Sequence, residues 1–257
     1  MDLVNYKVEN RVAYITLNRP EKRNALNPDL VNSLSAAFSN AKQDEAVKVI
    51  VLNASGDVFS AGADLAYLQQ LQENSYEENI ADSSALKDLF YTIYTSPKAV
   101  IGQIEGHAIA GGCGLAAVCD IVFSIPEARF GYTEVKIGFI PALVACFLVR
   151  KTGEARTKEL LLSGELIDAQ TASAYGLINF IRERQDIRES VKMYAEKVVQ
   201  ETSSTSVSLT KALLNMAQNL TLEESLEEAV KLNATARAST DCKRGISAFL
   251  NKEKISW

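Results

Sequence analysis

Hydrophobic and polar positions along the chain change period several times, and each change marks an element. Residues 3–11 alternate and break at Glu9-Asn10, and residues 12–17 (VAYITL) are β-rich; together they predict a hairpin. A polar loop follows at 18–24, with Pro20 excluding regular structure. Asn27 then reads as an N-cap with Pro28 at the first helical position, and Leu30, Leu34, Ala37, Phe38 and Ala41 form a helical stripe. Residues 47–52 (VKVIVL) predict a buried strand, 53–57 a turn, and 58–65 a junction of small residues. This order of strand, helix and strand implies a right-handed crossover.

Residues 66–98 predict helix, variable and acidic at first, with Phe90, Tyr91, Ile93 and Tyr94 as its apolar end and Pro97 as its stop. A second buried strand is expected at 98–104, a glycine junction at 106–114, a helical run at 115–119 and a strand at 121–123. The segments VIVLNASGDVFSAGADL and AVIGQIEGHAIAGGCGL thus make a loose internal repeat with an insertion between them. Beyond Pro141 the pattern predicts an apolar run at 142–149, a helix at 153–162 and a short turn at 163–168. A helix capped by Asp168 and ending at Gly176 follows, and then a strand at 177–181. From 186 onward the period is helical without strand signals, and Thr221 with Glu224 forms a capping box. The expected fold class is α/β, with a core over 1–185 and a helical region over 186–257.

The candidate chemistry sits in residues 104–141. Glycines at a strand-to-helix junction (Ala110-Gly111-Gly112-Cys113-Gly114) let backbone approach a ligand and aim N–H groups at an oxyanion or phosphate. Downstream, one acid, Glu134, is flanked by apolar residues, a setting that raises a carboxyl pKa and suits proton transfer. Anion-holding amides beside a tuned acid can form an enolate and quench it.

Composition narrows the classes. The net charge of −5 over 257 residues argues against nucleic acid as main partner, while leaving room for local cations to hold a small phosphorylated ligand. Four cysteines without CxxC spacing and a single histidine speak against a zinc site, and a reducing, cytoplasmic setting fits them. The first residues lack a signal-peptide layout, and no apolar run is long enough to span a bilayer.

Six stretches in order carry a resemblance: ITLNRPEKRNALN, FSAGADL, GHAIAGGCGLAAVCDI, FGYTEVKIGFIP, LLLSGELIDAQTASAYGLIN and RGISAFLNKEKISW. Over essentially its whole length the chain resembles the crotonase superfamily, the enoyl-CoA hydratase/isomerase family. The resemblance implies a spiral of ββα repeats with a C-terminal helical region that builds homotrimers, often paired into hexamers. It implies an acyl-CoA thioester substrate, with coenzyme A part of the substrate and no separate cofactor. By motif position, the amides of Ala63 and Gly111 would hold the thioester oxygen. Lys22, Arg23, Ala25 and the backbone around Ala61 would hold the CoA nucleotide, and Phe249 and Lys252 would contact CoA of a neighbouring subunit. Glu134 would be the general acid/base.

Family hydratases carry two glutamates; the second is Glu134, but the first position is Gly114, and the Gly-Ala-Gly-Gly run after Ile-Pro is Ala142-Leu143-Val144-Ala145. A single carboxylate suffices for a Δ3,Δ2-enoyl-CoA isomerase. Hydratases of the methylglutaconyl-CoA type share the look of TEVKIGFIPA, so hydratase ranks first on overall resemblance, with isomerase beside it. A non-catalytic acyl-CoA-binding protein is the reading from another class, and Gly114→Glu is the obvious probe of the missing acid.

Plainer readings stand beside these. His107 could replace the acid or be a loop histidine bonded to backbone, the expected case. Asp64 and Asp120 read as structural caps, and Cys113 as packing. Lys22 and Arg23 could be a solvated pair. The tyrosines between 67 and 94 could line an acyl pocket or belong to the core.

Overall fold

The computed structural model describes residues 2–257. Strands β1 (Val4–Glu9) and β2 (Val12–Leu17) form the expected antiparallel hairpin. Asn10 and Arg11 turn it, both at positive φ (48° and 66°), the backbone hand that matches strand twist in a two-residue turn. The loop after β2 differs from expectation, because Pro20–Lys22 closes a 3-10 turn with Pro20 at its start. A proline's fixed φ and missing N–H suit a first helical position, so Pro20 begins structure there.

Helix α1 (Pro28–Gln43) starts where Asn27 Oδ1 accepts the Leu30 amide at 3.0 Å, and its predicted stripe is buried. There follow β3 (Val49–Ala54), β4 (Val58–Ser60), α2 (Leu65–Leu71) and α3 (Tyr76–Tyr94), the last begun by a Ser75–Glu78 capping box. Next come β5 (Ala99–Ile104), β6 (His107–Ile109), α4 (Gly111–Val118), β7 (Ile121–Ser124) and β8 (Arg129–Gly131). Helix α5 (Ala142–Ser163) bends at Gly153, and β9 (Ile167–Asp168), α6 (Ala169–Ala174) and β10 (Phe180–Ile181) complete the spiral. Helices α7 (Ile187–Glu201), α8 (Ser204–Ala217), α9 (Leu222–Ala238) and α10 (Thr240–Asn251) end the chain.

The strands form two sheets, ordered β1-β2-β3-β5-β7-β10 and β4-β6-β8-β9, and from β3 to β8 they fall into them alternately. The neighbours are parallel apart from β1 with β2 and β8 with β9. Each turn of the spiral lays one strand in each sheet and then a helix: β3-β4 with α2 and α3, β5-β6 with α4, β7-β8 with α5. The repeat therefore occurs three times, where the sequence suggested two. Its third copy lacks a glycine cluster, and the three-residue strands of the smaller sheet are too short to show a period. Strand β9 lies in a stretch expected to be only a turn.

Buried and half-buried lysines tie down helix ends. Lys48 Nζ donates to the carbonyls of Val199 and Thr202 at the end of α7, at 2.7 and 2.8 Å. Lys98 Nζ does the same at the end of α1, to Ala41 and Asp44, at 2.6 and 2.5 Å. Lys151 Nζ meets the Cys119 carbonyl behind α4 at 2.6 Å. An ammonium there satisfies orphan carbonyls and opposes the negative end of the helix dipole.

Asp120 behaves as the cap expected of it, its Oδ2 accepting from the Val100 amide and from Lys211 Nζ, both at 2.6 Å. That pair fastens α8 to the sheet. Helix α7 buries Ile187, Val191, Ala195 and Val199 against β2, β3, β5 and β7. Among the described residues, α8 and α9 bury no side chain and α10 buries Ala248 alone. No helix among the described residues is long and apolar enough to cross a membrane.

Candidate active site

Helix α4 is the centre of the site and is nearly all enclosed. It begins at Gly111, four residues before the predicted run, and residues 112 to 118 are buried. Strands β4 and β6 pack on one side of it and helices α3 and α5 on the other. The approach to β4 is very close: a Cβ on Gly112 would lie 2.5 Å from the Ser60 carbonyl oxygen. Small residues in the first turn are thus a packing requirement, and they leave the helix N-terminus open.

The turn into α4 is strained. Ala110 holds φ 51° and ψ −125°, a backbone state sparsely populated by L residues and costing about 1–3 kcal/mol. Its amide is anchored to the Gly131 carbonyl at 2.8 Å. Among the described residues the Gly111 amide donates to no protein group, as expected of a first helical N–H.

The second junction lies alongside. Gly62, at φ 88°, backs onto Ala110, and a Cβ there would stand 2.8 Å from the Ala110 Cβ. Leu26 donates to the Gly62 carbonyl at 2.6 Å and accepts from the Asp64 amide at 2.9 Å, which turns the exposed Ala63 outward. The Ala63 amide also donates to no protein group among the described residues. Both predicted oxyanion donors are therefore brought side by side with free N–H groups.

Asp64 caps α2 by accepting the Ala66 amide at 2.9 Å, and pairs with Arg19 at 2.6 Å. Burial pushes its pKa up, but the Arg19 and Ala66 hydrogen bonds outweigh that and hold it low. Arg19 went unnoticed in the sequence; its guanidinium also holds the Ala25 carbonyl at 3.1 Å.

Glu134 opens a short 3-10 turn after β8. Its Oε2 is buried without a hydrogen-bond partner, and burial raises its pKa, opposed only by its own amide. Its charge is felt by Cys113 in the first turn of α4. Burial pushes the Cys113 thiol up to about 12, so it is packing, as expected, and not a nucleophile.

The position of the missing glutamate is filled. A Cβ on Gly114 would come within 2.5 Å of Val144 Cγ1 and 2.9 Å of Phe90 Cζ. Gly114→Glu is thus no simple restoration, since Phe90 and Val144 occupy the space where that side chain would begin. Nor does His107 take the role. It is exposed, and its Nδ1 accepts the Arg129 amide at 3.1 Å.

The sequence model of the enoyl-CoA hydratase/isomerase family matches residues 7–257. The chain belongs to that family. A Thermus thermophilus protein whose name carries enoyl-CoA hydratase is 45% identical over 241 residues, covering 94% of this chain and 95% of that one. The crotonyl-CoA hydratase of Syntrophomonas wolfei is 31% identical over 251 residues, covering 97% and 95%. The crystal structure of a Mycobacterium smegmatis enoyl-CoA hydratase superposes with a TM-score of 0.94 at 29% identity, covering 100% and 99%. The family's acyl-CoA enzymes give the site its frame.

Of the residues expected at the CoA nucleotide, Lys22 and Arg23 are exposed on the 3-10 turn and its cap, and Ala25 is buried. The Ala61 amide donates to the Arg23 carbonyl at 3.0 Å, so this loop and Ala61 do meet. Buried Asn24 pins them, taking the Arg19 amide and donating to the Ser55 and Val58 carbonyls. Phe249 and Lys252 lie at the exposed end of α10; among the described residues no hydrogen bond or ion pair joins them to the loop. Tyr67 is bonded to Asp82, clamping α2 to α3, whereas Phe90 and Ile93 are core.

The raised pKa of Glu134 has a stability sign. A carboxyl whose folded pKa lies above its unfolded value supports the fold fully at low pH and loses that support as pH rises through the folded value. Glu134→Gln is therefore expected to be more stable than the parent at pH 7, with the gap closing below the ordinary carboxylate range. Urea unfolding at a series of pH values measures it; a Glu134→Gln variant less stable at pH 7 contradicts the assigned burial.

Proposed function

We propose that this enzyme adds water to, or removes it from, an enoyl-CoA thioester, as a lyase of the enoyl-CoA hydratase type. The observation that carries the reading is the buried, partnerless oxygen of Glu134, whose charge reaches Cys113 in the first turn of α4, where the Gly111 amide is free. The Ala63 and Gly111 N–H groups take the thioester oxygen as it gains charge, each worth about 3 kcal/mol by the usual yield of such donors. The positive end of α4 adds to them. Water oxygen bonds to C3 and the double-bond electrons move to the enolate. Ionised Glu134 takes the water's proton on one oxygen, and the same oxygen then delivers it to C2 of the enolate. A single carboxyl thereby closes the proton balance, which matters because Gly114 supplies no second acid.

That same closure favours a second reading. A Δ3,Δ2-enoyl-CoA isomerase needs Glu134 only to lift a proton from C2 and return it at C4. A non-catalytic acyl-CoA-binding role remains the reading from a different class.

The CoA nucleotide is assigned to Lys22, Arg23, Ala25 and Ala61, whose loop is pinned by Asn24 and Arg19. Exposed apolar side chains on the last helices, Leu214, Leu222, Leu226 and Val230, support assembly into a homotrimer or hexamer. In such an assembly Phe249 and Lys252 would reach a neighbour's CoA. Four unpaired thiols fit a reducing compartment such as the cytoplasm.

Crotonyl-, 3-enoyl- and 3-methylglutaconyl-CoA incubated in heavy water, with products read by mass, separate the readings. Gain of water is expected; double-bond migration with deuterium uptake alone means isomerase, and no change despite binding means a binding protein. Glu134→Ala is expected to lose turnover by ~10²–10⁴ while keeping CoA-ester affinity. Sedimentation at micromolar concentration is expected to read three or six chains, and a monomer contradicts the assembly.

A further inference from the structure

Two buried side-chain oxygen or nitrogen atoms lack a hydrogen-bond partner among the described residues, Tyr132 Oη and Glu134 Oε2; their residues are two apart in the chain, and the Glu134 charge acts on the phenol. An unpaired buried polar atom is costly, and folds keep few of them. Tyr132 is fully buried, directly after β8, with its ring among the largest enclosed side chains. Its hydroxyl lies beside the Cys113 thiol, without a hydrogen bond of normal geometry, and feels the charge of Glu134. Burial, first, and then Cys113 and Glu134 keep the phenol protonated, so it is a donor at any working pH. For packing alone phenylalanine would fill the same space without stranding a hydroxyl.

We propose that Tyr132 is a positioning residue for Glu134: its hydroxyl anchors the buried carboxyl oxygen, Oε2, through one bridging water, and leaves Oε1 to exchange the proton with substrate. The inference rests on Glu134 being the acid/base. The two oxygens are not within hydrogen-bond reach of each other, so the link needs a third atom. Tyr132 Oη, Glu134 Oε2 and the weak acceptor Cys113 Sγ supply the two to four polar partners that a buried water requires. A hydrogen bond to the ionised carboxylate holds its pKa below the value burial alone would set.

Other charges near Glu134 are already engaged. Lys136 pairs with Glu165 at 2.8 Å. On α5, Lys151 is held by the Cys119 carbonyl, and Arg150 by the Cys146 carbonyl and Asn219. Farther along α5, Glu154 pairs with Lys158 and Arg156 with Glu159. None of them contributes to the raised pKa of Glu134.

The test compares Tyr132→Phe and Glu134→Gln with the parent by pH-dependent kinetics on whichever CoA ester it turns over. Tyr132→Phe is expected to lower kcat on the order of tenfold with KM unchanged. The acid limb of its kcat/KM profile is expected at higher pH. Unchanged kcat and an unmoved limb, even with a higher melting temperature, overturn the inference and make Tyr132 packing. Should the variant not fold, the infrared carbonyl stretch of protonated Glu134 in the parent, identified by its loss in Glu134→Gln, decides. A hydrogen-bonded frequency supports the link and a free-carbonyl frequency overturns it. Retained turnover in Glu134→Gln would instead sink the acid/base assignment, which keeps the two failures apart.

Discussion

The site depends on how closely α4 sits against β4. With Gly112 in van der Waals contact with Ser60, the first turn of α4 can carry no side chain there. The helix N-terminus is held at a fixed place against the smaller sheet as a result. Ala110 absorbs the turn in a strained conformation, and Gly62 backs onto it from the neighbouring junction. Two junctions nearly fifty residues apart in the chain, each with an amide that donates to no protein group among the described residues, are brought against each other by this contact. Preorganised donors of this kind need no reorganisation when charge develops, which is why they serve an enolate well.

The other end of α4 shows the same economy. Lys151 rests on the Cys119 carbonyl, so the negative end of the helix is compensated while the positive end stays free. Around the mouth, Arg19 joins Asp64 to Ala25, and Asn24 joins the nucleotide loop to the strand β4. The segment around Ala63 and Asp64 and the loop assigned to CoA are therefore one hydrogen-bonded unit. A shift in either would displace the thioester relative to Glu134.

Much of this was legible in the residues. Caps such as Asn27, Asp64 and Asp168 write their function in local sequence, because a side-chain oxygen and a backbone N–H two or three residues on must meet. The glycine junctions and the lone Glu134 were visible for similar reasons. What escaped was non-local. The smaller sheet has strands too short to carry a period, and its third repeat has no glycine to mark it. That Phe90 and Val144, one twenty-four residues before and one thirty after, close on Gly114 is a fact of packing which no spacing reveals. Nothing in the sequence singles out Tyr132, since stranding its hydroxyl is a property of the fold.

The central claim is that two amides and one carboxyl make up the reacting site. A crystal structure of the protein with acetoacetyl-CoA, whose enolate imitates the charged intermediate, tests it most directly. The thioester oxygen is predicted at roughly 2.7–3.1 Å from both the Ala63 and Gly111 nitrogens. Glu134 should be the one carboxylate over C2, with Phe90 and Val144 unmoved at Gly114. A thioester oxygen bound away from either amide, or a different acid over C2, would contradict the account.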